Sequence, residues 1–99
     1  MDLSTNFFTG DMPSNLIAAL NLTELILSNN AFGGKIPEHI GKLKNLSRLS
    51  LDGNKIEGFI PKEISEIESL RYLMLYNNKL TGTVPTSIGS IRSIKNISL

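Results

Sequence analysis

Apolar and polar residues alternate along this chain in short bursts that return at a fixed interval. Leu25-Ile26-Leu27, Leu49-Ser50-Leu51, Leu73-Met74-Leu75 and Ile97-Ser98-Leu99 place apolar residues two apart. That period sends the outer pair to one side of an extended strand and the middle residue to the other. Each burst predicts a short strand with its flanking aliphatics turned inward. Further along each unit the period changes to three, in Ile40, Leu43 and Leu46, in Ile64, Ile67 and Leu70, and in Ile88, Ile91 and Ile94. A spacing of three fits 3-10 turns, whose i and i+3 side chains share a face.

The same positions recur when the chain is laid on itself with a shift of 24 residues, which aligns Leu3, Leu27, Leu51 and Leu75. Gly10, Gly34, Gly58 and Gly82 obey the shift, and so do Pro13, Pro37, Pro61 and Pro85. A constant period of this size marks a solenoid. The division it predicts is one segment over 1–99: a partial repeat 1–24, repeats 25–48, 49–72 and 73–96, and the start of a further strand at 97–99. Each full coil offers seven apolar groups to a shared interior, as in Leu49, Leu51, Ile56, Ile60, Ile64, Ile67 and Leu70. Burying each contributes roughly 1.5–3 kcal/mol. One coil cannot cover its own flat faces, so most of the stability comes from neighbours. Asn6, Asn30, Asn54 and Asn78 follow the strands, where the chain must turn, and are expected to form an internal ladder that satisfies unpaired backbone groups. The Gly column suits a tight or left-handed backbone, and the prolines are expected at the first position of a helical turn.

The segment Leu51-Asp52-Gly53-Asn54-Lys55-Ile56-Glu57-Gly58-Phe59-Ile60-Pro61 and its three copies resemble the plant-specific leucine-rich repeat, LxLxxNxLxGxIP, and the resemblance covers the whole chain. It implies an α/β fold: a right-handed solenoid of 24-residue repeats with a parallel β-sheet on the concave face and short 3-10 or helical turns on the convex side. It also implies an additional short strand pairing at the Gly-x-Ile-Pro segment. Members of the family form ectodomains of receptor-like kinases and receptor-like proteins, and secreted inhibitors of cell-wall-degrading enzymes. The function implied is recognition of a protein or peptide ligand, a small ligand or a co-receptor, as part of a plant cell-surface receptor. The alternatives are a secreted enzyme inhibitor and a truncated, nonfunctional fragment. Family ectodomains carry paired cysteines in their capping segments; this sequence has no Cys, so the expectation is an uncapped fragment of a larger extracellular protein, with any kinase domain outside it.

Composition narrows the chemistry. The net charge of +1 leaves no basic stripe to neutralise phosphates, so nucleic acid is not an expected partner. No apolar run approaches the roughly 20 residues needed to cross a bilayer, and the first residues lack a signal-peptide pattern, so membrane contact by this segment is not expected. His39 is the only histidine and falls on the rim after Pro37. Gly34-Lys35 and Gly41-Lys42 lack the earlier glycine of a phosphate loop, where Asn29 and Ile36 stand instead. Glu63, Glu66 and Glu68 alternate with inward aliphatics and read as a solvated face. No catalytic, cofactor-binding or metal-binding residues are expected, and the chain reads as a binding module and not an enzyme.

Three Asn-x-Ser/Thr sequons begin at Asn21, Asn45 and Asn96 and are candidate glycosylation sites. The outward residues of the strands form the candidate recognition surface, since equivalent positions of adjacent coils lie side by side. Its columns are Glu24, Arg48, Tyr72 and Asn96; Asp2, Ile26, Ser50, Met74 and Ser98; and Ser4, Ser28, Asp52 and Tyr76. Ile26, Arg48, Asp52, Tyr72, Met74 and Tyr76 are the candidate ligand-binding residues, because Tyr, Met and Arg are enriched in buried interfaces. Two further expectations attach to this wall. Glu24 and Arg48 are placed to form a surface ion pair, and a glycan on Asn96 would crowd Tyr72. Phe59 is a second exposed apolar candidate, on the flank.

Overall fold

The computed structural model describes residues 2, 4, 5, 9–11 and 21–99. Eight short strands occur among them: β1 (Thr9–Asp11), β2 (Glu24–Ile26), β3 (Ala31–Gly33), β4 (Arg48–Ser50), β5 (Glu57–Gly58), β6 (Tyr72–Met74), β7 (Lys79–Leu80) and β8 (Asn96–Ser98). Three 3-10 helices span Glu38–Lys42, Lys62–Glu66 and Thr86–Ser90. The predicted change of period from two to three is thus a change from strand to 3-10 helix in every full coil.

Strands β2, β4, β6 and β8 form one parallel sheet in that order. Its register is the repeat period, with Leu25 opposite Leu49, Leu49 opposite Leu73, and Leu73 opposite Ile97. Asp2 joins Ile26 by a single parallel bridge. Each strand begins one residue before the first aliphatic of its burst. Pairing continues beyond its end: the N–H groups of Leu27, Leu51 and Leu75 donate to the carbonyls of Ser50, Met74 and Ser98, each at 2.8 Å.

The interior is the stack of aliphatic columns. Leu25, Leu49 and Leu73 are fully buried, as are Leu46, Leu70, Ile40 and Ile64. All seven apolar groups of coil 25–48 and all seven of coil 49–72 belong to this core. In coil 73–96 the sealing is incomplete: Leu80 and Ile94 are partly buried and Val84 is 42% exposed. Ile97 and Leu99, expected inward, are 37% and 51% exposed. The inward positions Leu3 and Phe8 and the proline at 13 lie outside the described residues.

One part of the sequence reading is corrected and one is sharpened. The prolines at 37 and 61 precede their helices and do not open them: they are extended, with φ −71° and −68°. Their carbonyls accept the first helical bonds, from the N–H groups of Ile40 (3.1 Å) and Ile64 (3.2 Å). The additional strand pairing occurs at the start of the Gly-x-Ile-Pro segment and just before it: β1, which includes Gly10 and Asp11, pairs with β3, and β5, which includes Gly58, pairs with β7, both parallel, and Lys35 bridges Glu57. Gly10, Gly34, Gly58 and Gly82 have φ of +83°, +66°, +79° and +78°, a left-handed conformation that glycine adopts without steric cost.

The asparagine ladder forms as expected where it is described. The Asn54 amide donates to the carbonyls of Leu51 (2.9 Å) and Asp52 (3.2 Å) in its own turn, and to Leu27 (3.0 Å) of the coil before. Its Oδ1 accepts the N–H of Phe32 at 3.2 Å. Asn78 repeats the pattern on Leu75 and Leu51, with Oδ1 on the N–H of Ile56, and Asn30 donates to Leu27 and Ser28. Asn6 lies outside the described residues. The sharp reversal itself sits one residue earlier, where Thr5, Asn29, Gly53 and Asn77 all have φ between +54° and +70°. A Cβ added to Gly53 would run into the Asn29 side chain and stand 3.3 Å from its backbone nitrogen.

Candidate functional site: the strand wall

The outward positions of β2, β4, β6 and β8 share one face because strand side chains alternate. Register sets their neighbours: Glu24 beside Arg48, Arg48 beside Tyr72, and Tyr72 beside Asn96. The contacts along this row are charge-matched. Arg48 Nε lies 3.3 Å from Glu24 Oε2, and its guanidinium carbon stands 4.6 Å from the centre of the Tyr72 ring. Both contacts are partly exposed, so each contributes about 1 kcal/mol or less to stability. Their structural effect is orientation, since a guanidinium held between a carboxylate and an aromatic face is pre-positioned for a third group.

The other two columns are less open than their outward direction implied. Ser50, between Ile26 and Met74, is buried, and Ile26 and Met74 are half-buried. Ser28 Oγ donates to Asp52 Oδ1 at 2.8 Å, and Asp52 is only 7% exposed. Tyr76 in the same column is 40% exposed. The Asp52 carboxylate beside it raises the Tyr76 phenol above its ordinary range, because a phenolate there would face a like charge. The candidate binding residues therefore fall into two groups: Ile26, Arg48, Tyr72, Met74 and Tyr76 present accessible atoms, and Asp52 acts mainly through Tyr76 and Ser28. The Ser28–Asp52 link was legible as a polar pair in one column 24 residues apart, a signal the sequence reading passed over.

The sequon asparagines are exposed, and two of them meet: Asn45 Nδ2 donates to Asn21 Oδ1 at 2.7 Å. In the next two coils the same column holds Ser69 and Ser93, whose hydroxyls donate to the carbonyls of Leu46 and Leu70, each at 2.7 Å. This second polar ladder was not anticipated. Phe59 is 64% exposed beside a flank depression of about 680 Å3 lined also by Ile60, Lys62, Glu63, Gly82, Thr83 and Pro85. His39 is exposed, on a shallower hollow with Glu38, Lys42, Glu63 and Glu66. Lys44 and Glu66 approach at 3.9 Å with both side chains mostly solvated, which contributes little. Among the described residues, no group of three or more His, Cys, Asp or Glu side chains is placed to hold a metal ion. No helix among them is long and apolar enough to cross a membrane.

The fold has counterparts in known proteins. The leucine-rich repeat family model matches residues 20–80. Among solved structures, a plant peptide hormone receptor, RGFR1, in complex with RGF2, superposes with a TM-score of 0.91 at 36% identity; the match covers 97% of this chain and 16% of that one. The leucine-rich repeat ectodomain of the membrane receptor kinase GASSHO1/SCHENGEN3 from Arabidopsis thaliana, in complex with CASPARIAN STRIP INTEGRITY FACTOR 2, gives 0.89 and 36%, covering 99% of this chain and 12% of that one. The BIR3–SERK2 complex, also from Arabidopsis thaliana, gives 0.86 and 38%, covering 96% of this chain and 52% of that one. Among curated protein sequences, none matches. The chain thus spans between about an eighth and about half of these structures. With the repeat columns, the parallel ladder and the asparagine ladder all in place, the chain belongs to the leucine-rich repeat family, in the form taken by plant receptor ectodomains.

Proposed function

We propose that this segment is part of the extracellular recognition domain of a plant cell-surface receptor, and that its strand wall binds a peptide or protein ligand or a co-receptor. The observation that carries the reading is the row in which Arg48 lies between the Glu24 carboxylate and the Tyr72 ring, with Met74 and Tyr76 beside it. An aromatic, a thioether and an oriented guanidinium on one rigid sheet are the groups that dominate binding energy at protein interfaces. They lie along neighbouring rungs of one sheet, an open row that suits an extended chain or a protein face. The solved complexes of similar ectodomains with peptide hormones support the class of ligand. The bound chain contributes its own backbone and side chains, and the wall contributes position; no bond is made or broken.

The test is selection of a displayed peptide library on the immobilised chain, followed by affinity measurements on the Tyr72→Ala and Tyr76→Ala variants. Each substitution is expected to weaken binding by roughly tenfold or more, the effect of a central interface residue losing about 1.4 kcal/mol or more. Unchanged affinity in both variants would remove the wall as the site.

A further inference from the structure

Three sequons are present, and the fold treats them differently. Glycosylation at such a site joins the Asn Nδ2 to the anomeric carbon of a lipid-diphosphate-linked oligosaccharide. The new nitrogen–carbon bond replaces the bond from that carbon to the diphosphate oxygen, the lipid diphosphate leaves with the electron pair, and one amide proton is released. The reaction needs a free amide nitrogen and a free hydroxyl two residues on, and the product must still close its coils.

At Asn45 both groups are engaged. Its Nδ2 donates to Asn21 Oδ1 at 2.7 Å, and Ser47 Oγ donates to the Thr23 carbonyl at 3.1 Å. The next coil holds the backbone on either side of it, through Ser69 Oγ bonded to the carbonyls of Lys44 (2.9 Å) and Leu46 (2.7 Å). A sugar on that nitrogen would stand against the Asn21 carboxamide, whose Oδ1 is 2.7 Å away. Asn21 is the reverse case. Its engaged atom is Oδ1, which a glycan leaves in place as an acceptor, and among the described residues neither its Nδ2 nor the Thr23 hydroxyl makes a hydrogen bond. Asn96-Ile97-Ser98 is itself strand β8, paired along its length with β6. A sugar there would stand over Tyr72, its register partner.

We infer that, once the chain is secreted, Asn21 carries an N-linked glycan while Asn45 and Asn96 stay unmodified. The inference rests on the extracellular placement proposed above. The transferring enzyme meets the chain as it emerges, before these bonds form, so the fold selects afterwards: a chain is released only if its coils close with the sugar in place and the engaged groups of the unmodified sites back in their bonds. A glycan on Asn21 keeps the Asn45–Asn21 hydrogen bond, projects from the margin of the strand wall three residues before Glu24, and leaves Arg48, Tyr72 and Tyr76 uncovered.

The full chain, expressed in plant cells behind a secretion leader, tests this. The leader supplies entry to the secretory route, so site choice is read whether or not the wall binds a ligand; a failed peptide selection with Asn21 occupied would strike only the binding proposal. Glycopeptide mapping by mass spectrometry of the released chain is expected to show Asn21 occupied and the other two bare. Asn21→Gln is expected to abolish the one-glycan shift in electrophoretic mobility, and Asn45→Gln and Asn96→Gln to leave it. Occupancy at Asn45 or Asn96, two glycans on one molecule, or a bare Asn21 would overturn the inference. If no chain is released, the inference is overturned, because the chain modified at Asn21 is expected to close its coils and leave the cell.

Discussion

Coils 49–72 and 73–96 carry the same motif and differ in what becomes of it. In the first, Ile60 and Ile67 are sealed at 7% and 0% exposure, and Asn54 is buried with every polar atom of its amide bonded. In the second, the equivalent of Ile60 is Val84 at 42%, and Asn78 is only half-buried although it makes the same bonds. The repeat therefore specifies a conformation, which both coils adopt, but not an energy, which the neighbouring coil determines. That is the behaviour of a one-dimensional stack, where each unit gains its stability at its two faces.

The largest expected effect of this difference is in the aliphatic columns. Ile60→Ala, at a sealed site, is expected to destabilise the chain by about 2–5 kcal/mol, and Val84→Ala, at the equivalent position, by less than about 1 kcal/mol. Urea titration followed by circular dichroism compares them; similar losses would mean that the two coils are not energetically distinct. A smaller contrast is expected in the polar ladder. Asn54→Ala leaves the Leu27 and Leu51 carbonyls and the Phe32 N–H without this side chain, at a cost of about 1–3 kcal/mol. Asn78→Ala is expected to cost less, because water reaches the groups it leaves. Hydrogen exchange at Phe32 and Ile56, the two amides that these side chains cap, reports each loss locally.

Fold and interior were legible because their columns repeat residue identity: a Leu, an Asn, a Gly or a Pro recurring every 24 residues names its own role. The left-handed column of Thr5, Asn29, Gly53 and Asn77 was not, since three residue types meet one backbone demand and none advertises it. The wall was legible in direction and not in exposure. Ser50 and Asp52 point outward as alternation requires, but Ser50 is a short side chain between Ile26 and Met74, and Asp52 lies between Ser28, which donates to it, and Tyr76, so burial there is set by neighbours 24 residues away. The additional strand pairing was legible only through the family resemblance, because Glu57 and Lys79 are exposed polar residues with no apolar alternation to betray a strand.

The smallest predicted effect concerns that column. The Tyr76 phenol should titrate above the ordinary range, and Asp52→Asn should bring it back down, as read by ultraviolet difference spectra. The sign follows from a raised folded-state value. The pairing favours the folded chain while the phenol is protonated, below the ordinary value of 10.0, and the advantage fades as pH climbs through the higher folded value. A Tyr76 titration indifferent to Asp52→Asn would show that the column does not act as a unit.

The spacing of the sheet has a consequence for anything laid across it. Rungs advance by about 4.8 Å, whereas side chains on one face of an extended peptide advance by about 6.8 Å. Three steps of the first and two of the second both come to roughly 14 Å, so the two rulers fall back into phase across the four rungs β2, β4, β6 and β8. A ligand whose first and fifth residues sat on the outer rungs would bring its third down between β4 and β6, onto the seam where Arg48 meets Tyr72.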